Sequence, residues 1–242
     1  MQLGKGDARR KREQSRAERR TTASVPAAEQ VLKDMIVLER FVDAGTCDRL
    51  VGLHRRLGSL TNGSDNGLDI TLARKANPKA FTTAKQIIDR LRELIRSHYD
   101  ASVYCDLTLV CALTAGGFRH TLHADNARVA CPRHGDDAEQ LVSVQCSCPD
   151  VVVVPNHTPW RDYSALLYLS DGHAGGDIVF GAGPNAYGRI FRKELHPTRG
   201  LLAVFPSNEL YFHHTTTVTT GVRYSMNSWF TTDPAHASAG WR

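Results

Sequence analysis

The chain has 242 residues, 41% hydrophobic and 23% charged, as expected for an ordinary globular protein with one sizeable core. No run approaches the roughly 20 consecutive apolar residues of a spanning helix, so no membrane partner is expected. The net charge of +5 belongs to the start of the chain, where residues 1–20 hold eight Lys/Arg against Asp7, Glu13 and Glu18.

Residues 1–26 therefore read as a basic flexible tail, solvated rather than packed. Tail contact with nucleic acid is the lesser reading, and its mark would be salt-sensitive binding lost on deleting residues 1–20. The tail lacks the apolar run of a secretory signal. Cys47, Cys105, Cys111, Cys131, Cys146 and Cys148 form no dense, regular framework. Reduced thiols and a cytoplasmic location are the expectation.

Residues 27–35 can form a short helix, and IVLERFV (36–42) reads as a strand entering a turn at Asp43–Gly45. Thr46 is a plausible N-cap for a helix whose Leu50, Leu53 and Leu57 recur at helical spacing. Gly58 to Gly67 is polar and Gly-rich, hence loop. Thr82 or Thr83 could cap a second helix, in which Ile87, Leu91 and Ile95 form one apolar face.

From about residue 102 short β-rich runs follow one another: 103–113, 163–169, 177–180, 189–195, 201–205, 215–219 and 222–231. Gly- and Pro-rich turns separate them, the pattern of a sandwich or barrel. The two helices would cover one sheet face. The expected organisation is one domain over 27–242, with a helical cover at 27–100 and a β core at 101–234.

LHADN places His123 and Asp125 two residues apart, on one face of a strand, where they can grip one metal ion together. A third ligand must come from elsewhere, and YFHHTTTVTTGVRYS offers His213 and His214. Two imidazoles and one carboxylate leave coordination positions open, which favours non-haem Fe(II) over closed tetrahedral zinc. Arg223 follows His213 by ten residues, and its planar fork suits the distal carboxylate of 2-oxoglutarate.

LHADN, RDYSALLYLSDGHAGGDIVF, GLLAVFPS and HHTTTVTTGVRYSMNSWFTTDPAH carry a family resemblance. From about Ile36 to His236 the chain resembles the prolyl-hydroxylase-type Fe(II)/2-oxoglutarate oxygenases, closest to the leprecan-like prolyl 3-hydroxylase catalytic domain. The last stretch is the most telling: Val218, Thr219, Gly221, Arg223, Trp229, Phe230, Thr231, Asp233 and Pro234 sit where that pattern wants them.

The resemblance implies a mainly β fold with N-terminal helices, a double-stranded β-helix or jelly roll. It selects His213 over His214 as the third iron ligand. It points to Tyr168, and to Ser225 on the face of Arg223, as contacts for the co-substrate carboxylate. It implies Fe(II), 2-oxoglutarate and O2, with ascorbate as a candidate addition. The implied reaction hydroxylates an unactivated C–H bond of a prolyl residue in a peptide, or of a small amino acid, and yields succinate and CO2. A non-enzymatic jelly-roll binding module is the alternative.

Four features stand outside this set. Cys131, His134, Cys146 and Cys148 could hold a structural zinc, against free thiols or a disulfide. Asn126 is a candidate for orienting the ligands, His157 reads as structural or substrate-facing rather than a ligand, His196 as a turn histidine, and Trp229 as core.

Overall fold

Two side chains decide where the helices begin. Asp43 caps α1 (Ala44–Leu57), accepting from the Thr46 amide at 2.8 Å and the Thr46 hydroxyl at 2.9 Å. Asn77 caps α2 (Pro78–Tyr99), its Oδ1 accepting from the Ala80 amide at 3.1 Å. Both caps lie upstream of the threonines expected to fill them. Thr46 donates to its cap, while the Thr82 and Thr83 hydroxyls bond back to the carbonyls of Pro78 and Lys79. Pro78 extends α2 because its fixed φ suits a first helical position, where no amide donor is needed. The computed structural model describes residues 34–58, 67–117, 123–130, 152–181 and 192–241.

The strands, numbered along the chain, form a large antiparallel sheet in the order β1 (Ile36–Leu38), β10 (Leu202–Pro206), β6 (Tyr163–Tyr168), β13 (Val222–Thr231), β3 (Tyr104–Thr114), β2 (Gly67–Asp69). On one face Met226, Phe230, Leu167, Val204 and Val110 pack against Leu50 of α1 and Ile87, Ile88, Leu91 and Ile95 of α2. Each such side chain, fully buried, contributes about 1.5–3 kcal/mol of hydrophobic stabilisation.

On the other face Leu166, Tyr168 and Phe205 meet Ile178 and Phe180 of a second sheet, ordered β11 (His213–Thr215), β8 (Ile178–Gly181), β9 (Arg192–Leu195). Two small pairs complete the described strands: β12 (Val218–Thr220) with β7 (Ala174–Gly175), and β4 (Ala127–Ala130) with β5 (Val152–Pro155). Two facing sheets with helices outside the larger one make the double-stranded β-helix expected from the sequence.

Several local expectations change. The strand expected over 36–42 stops at Leu38, and Arg40 turns to φ 53°. The expected strand 215–219 is divided: Thr215 ends β11 in the second sheet, whereas Val218 opens β12 against β7. Uniform β propensity along TTTVTT cannot show a change of sheet. Gly67 is the first residue of β2 rather than the end of a loop. The basic tail, most of the helix expected at 27–35, and Cys131, His134, Cys146 and Cys148 lie outside the described residues. Among the described residues no helix is long and apolar enough to cross a membrane.

Replacing Asn77 with Ala removes the α2 cap and should cost about 1 kcal/mol in urea denaturation. Thr83→Ala should stay within about 0.5 kcal/mol.

Candidate metal and co-substrate site

His123 and His213 are brought together by the backbone. They face each other across an isolated antiparallel bridge, exchanging hydrogen bonds of 3.0 and 2.8 Å. Asp125 lies two residues beyond His123. Its Oδ1 is 3.7 Å from His123 Nε2, and its Oδ2 is 3.8 Å from His213 Nε2. One ligand atom from each of the three residues lies within 4.8 Å of the others, and among the described residues no other His/Cys/Asp/Glu group could hold a metal. His214 pairs across from Val179 and falls on the opposite face of β11.

The surroundings fix how each group is presented. His213 Nδ1 lies 2.9 Å from the Tyr211 carbonyl, so it donates there and turns Nε2 toward Asp125. Phe180 and Phe205 flank the same ring, at centroid distances of 5.5 and 5.2 Å. Ser164 donates to Asp125 Oδ2 at 2.7 Å and is itself 2.7 Å from the Ser207 hydroxyl. Asn156 Nδ2 and the Thr158 hydroxyl both donate to the Asp125 carbonyl, at 3.1 and 3.0 Å. Asn126 acts at one remove, bonding the Arg161 carbonyl rather than a ligand side chain.

Burial alone would push the Asp125 carboxyl up. The imidazoles of His213 and His123, with hydrogen bonding from Ser164 and Trp229, outweigh it and hold the group below the usual carboxylate range. The site therefore presents an ionised carboxylate between two imidazoles. The side chain of His123 is 33% exposed against 7% for His213, so the trio opens to solvent on the His123 side. This N2O donor set, closed by protein on one side, suits Fe(II) with positions left for further ligands.

A second cluster lies along the inner face of β13. Arg223 is buried, and Ser225 sits directly across from Tyr168. The Arg223 guanidinium carbon is 4.9 Å from the Tyr168 ring centroid. Arg223 Nε, the Tyr168 hydroxyl and Ser225 Oγ are all buried without a hydrogen-bond partner. Among the described residues no carboxylate pairs with Arg223. A buried, unpaired guanidinium costs several kcal/mol, so the cluster calls for an anion. A carboxylate meets that need and gives all three groups an acceptor, which fits 2-oxoglutarate.

Gly176, at φ +76°, makes room for the arginine stem. A Cβ there would lie 2.7 Å from Arg223 Cδ and 3.0 Å from Val218 Cγ2. Sequence reading did not single out Ser164, Ser207 or Asn227. Trp229, expected in the core, is only half-buried, with the Arg161 guanidinium 4.3 Å above its ring. The signal available for Trp229 and Asn227 was the two-residue period running from Arg223 along β13.

Residues 96–231 match the family model described as the 2OG-Fe(II) oxygenase superfamily. The chain is 29% identical over 166 residues to prolyl 3-hydroxylase 3 of Mus musculus, and 27% identical over 161 residues to prolyl 3-hydroxylase 1 of Homo sapiens. These alignments cover 64% and 62% of this chain, which spans only about a fifth of each relative, 20% and 19%. A Pseudomonas putida prolyl-4-hydroxylase superposes with a TM-score of 0.51 at 18% identity, over 85% of this chain and 98% of that one. A Trichoplax adhaerens prolyl hydroxylase, solved with a hypoxia inducible factor oxygen degradation domain peptide fragment, gives 0.58 at 15% identity, over 90% and 92%. At these identities the structural likeness speaks for the fold.

Ser164→Ala should weaken Mn(II) or Fe(II) binding by about 10- to 100-fold, read by metal titration of the folded variant. Gly176→Ala should instead raise the 2-oxoglutarate requirement while metal affinity holds.

Proposed function

Because the chain belongs to the 2OG-Fe(II) oxygenase superfamily, we propose that it is a hydroxylase in which His123, Asp125 and His213 hold Fe(II) and Arg223 anchors 2-oxoglutarate. Its cofactor set is Fe(II), 2-oxoglutarate and O2. The observation that carries the residue assignment is the buried Arg223, with no carboxylate partner among the described residues, beside the buried Tyr168 and Ser225 hydroxyls, on the sheet face that also supplies Ser164 to Asp125.

When bound, iron would let O2 oxidise both 2-oxoglutarate and substrate, one oxygen atom entering the C–H bond and the other the succinate that forms as CO2 leaves. The chain's own residues prepare the site. Asp125 stays ionised, and His213 is oriented by the Tyr211 carbonyl. Arg223, Tyr168 and Ser225 receive the far carboxylate. Leu166, Phe180 and Phe205 wall the interior and exclude water. Substrate approaches over the exposed edge of His123.

The substrate we propose is a prolyl residue within a peptide, or a related free amino acid, with 3-hydroxylation as the favoured outcome. The prolyl 3-hydroxylase relatives and the peptide bound to the Trichoplax adhaerens enzyme support this choice. A reducing, cytoplasmic setting belongs to the same reading, supported by free, buried Cys47, Cys105 and Cys111.

The test is succinate release with Fe(II) and 2-oxoglutarate against a panel of proline-containing peptides and free amino acids, with mass spectrometry for products heavier by one oxygen. Turnover coupled to a prolyl substrate is expected. His123→Ala and Asp125→Ala should abolish metal binding and turnover. Arg223→Ala should raise the 2-oxoglutarate requirement about 10- to 100-fold with metal binding kept. No succinate across the whole panel would sink the hydroxylase and leave the binding module.

A further inference from the structure

Asn227 is an anomaly on the inner face of β13. Directly across from it stand Leu109 on β3 and Leu166 on β6, so it interrupts a row of leucines. It is 8% exposed, and its Oδ1 is buried without a partner. Its Nδ2 reaches only the Cys111 sulfur, at 3.7 Å. A leucine would fill this slot with no orphaned polar atom, whereas a buried unsatisfied amide oxygen costs about 1–3 kcal/mol. An amide there needs a partner that the described residues do not supply.

Cys111 shows which way the amide turns to meet one. The thiol is buried on the diagonal neighbour, with Gly67 directly across on β2, where a Cβ would lie 3.4 Å from the sulfur. Burial pushes the thiol pKa up to about 12, so at neutral pH it carries a proton to donate. An S–H donor is best matched to the amide oxygen, and the two ends of an Asn amide exchange by a half turn. In that orientation Cys111 donates to Oδ1. The NH2 group then takes the partnerless position, with protons to offer an acceptor.

The position of the row selects the acceptor. Asn227 lies between Ser225, in the carboxylate-anchoring cluster, and Trp229, whose hydrogen bonding helps hold Asp125 ionised. Leu166, directly across, is two residues from Ser164, which bonds Asp125. The far carboxylate of 2-oxoglutarate already has Arg223, Tyr168 and Ser225. The carboxylate beside the 2-oxo group has no donor assigned. We propose that Asn227 is a further co-substrate-binding residue, donating its amide to the carboxylate at the metal-chelating end of 2-oxoglutarate, with Cys111 as the positioning residue that turns the amide. This inference rests on the functional reading above.

The experiment measures equilibrium binding under anaerobic conditions in the full chain loaded with Mn(II). The ligands are 2-oxoglutarate and pyruvate, which keeps the 2-oxo acid end but lacks the far carboxylate. Asn227→Leu should weaken both ligands by about tenfold or more. Its metal affinity should be unchanged and its melting temperature equal or higher, because the leucine completes the apolar row. Arg223→Ala should weaken 2-oxoglutarate and spare pyruvate. Cys111→Ala should show part of the Asn227→Leu loss, and Cys111→Ser should restore it by supplying a hydroxyl donor.

Asn227→Leu binding 2-oxoglutarate within twofold of wild type would overturn the inference and leave the oxygenase reading standing. Loss for 2-oxoglutarate alone, with pyruvate unaffected, would overturn it by moving the contact to the far end. Wild-type protein that binds neither ligand with metal present would overturn both the inference and the functional reading.

Discussion

The period of two along β13 is the constraint on which the rest of this molecule depends. Arg223, Ser225, Asn227 and Trp229 face the site, while Tyr224, Met226 and Phe230 face the helices. The strand is hydrogen-bonded on both sides, to β3 and to β6, so it cannot shift without breaking two ladders. A slip of one residue would carry the arginine into the helical core and bring Met226 and Phe230 to the site. Packing of Met226 and Phe230 against α1 and α2 is therefore what aims Arg223, although both lie on the opposite face of the strand. The core and the chemistry share one register.

The two halves of the site differ in electrostatic character. Around Asp125 the charge is largely met from within, by His123, His213 and hydroxyl and indole donors. Around Arg223 no carboxylate among the described residues meets the charge, and Arg223 Nε and Ser225 Oγ are buried without a hydrogen-bond partner there. An ion added to the first half substitutes for interactions already sketched by the protein. An anion added to the second supplies something the folded chain lacks. The second half is thus the stronger statement about ligand chemistry, since a His-Asp-His group alone fits several divalent ions.

Much of this was legible in the sequence because it followed from periodicity. Leu50, Leu53, Ile87, Leu91 and Ile95 marked the helical faces, and the β-rich runs after residue 102 marked a layered β fold. What was not legible came from events at single positions. Asp43 and Asn77 cap their helices although a threonine stands closer to each apolar run. Thr215 and Val218 look alike in propensity but belong to different sheets, which only their strand partners reveal, Ile178 for Thr215 and Gly175 for Val218. Within the site, the charged and imidazole residues stood out by chemistry and spacing. Ser164 did not, because a serine in a strand carries no signal until its partner across the fold is known. Trp229 reads as core by residue type, yet it lies on the face of β13 opposite Met226 and Phe230.

The bridge between His123 and His213 carries a mechanical implication. His213 opens a strand of the second sheet, while His123 belongs to no strand and meets it through a single pair of backbone hydrogen bonds. The arginine pocket, by contrast, is laid down on the most extensively paired strand of the large sheet. An ion held by both imidazoles would act as a rivet across that seam, adding to the hydrogen bonds that Asn156, Thr158 and Ser164 already make to Asp125. Part of its intrinsic affinity would then go into suppressing local opening at that seam rather than into observed tightness. Metal loading and order at the His123–His213 seam would rise and fall together, while the pocket around Arg223, framed by paired strands, kept its shape throughout.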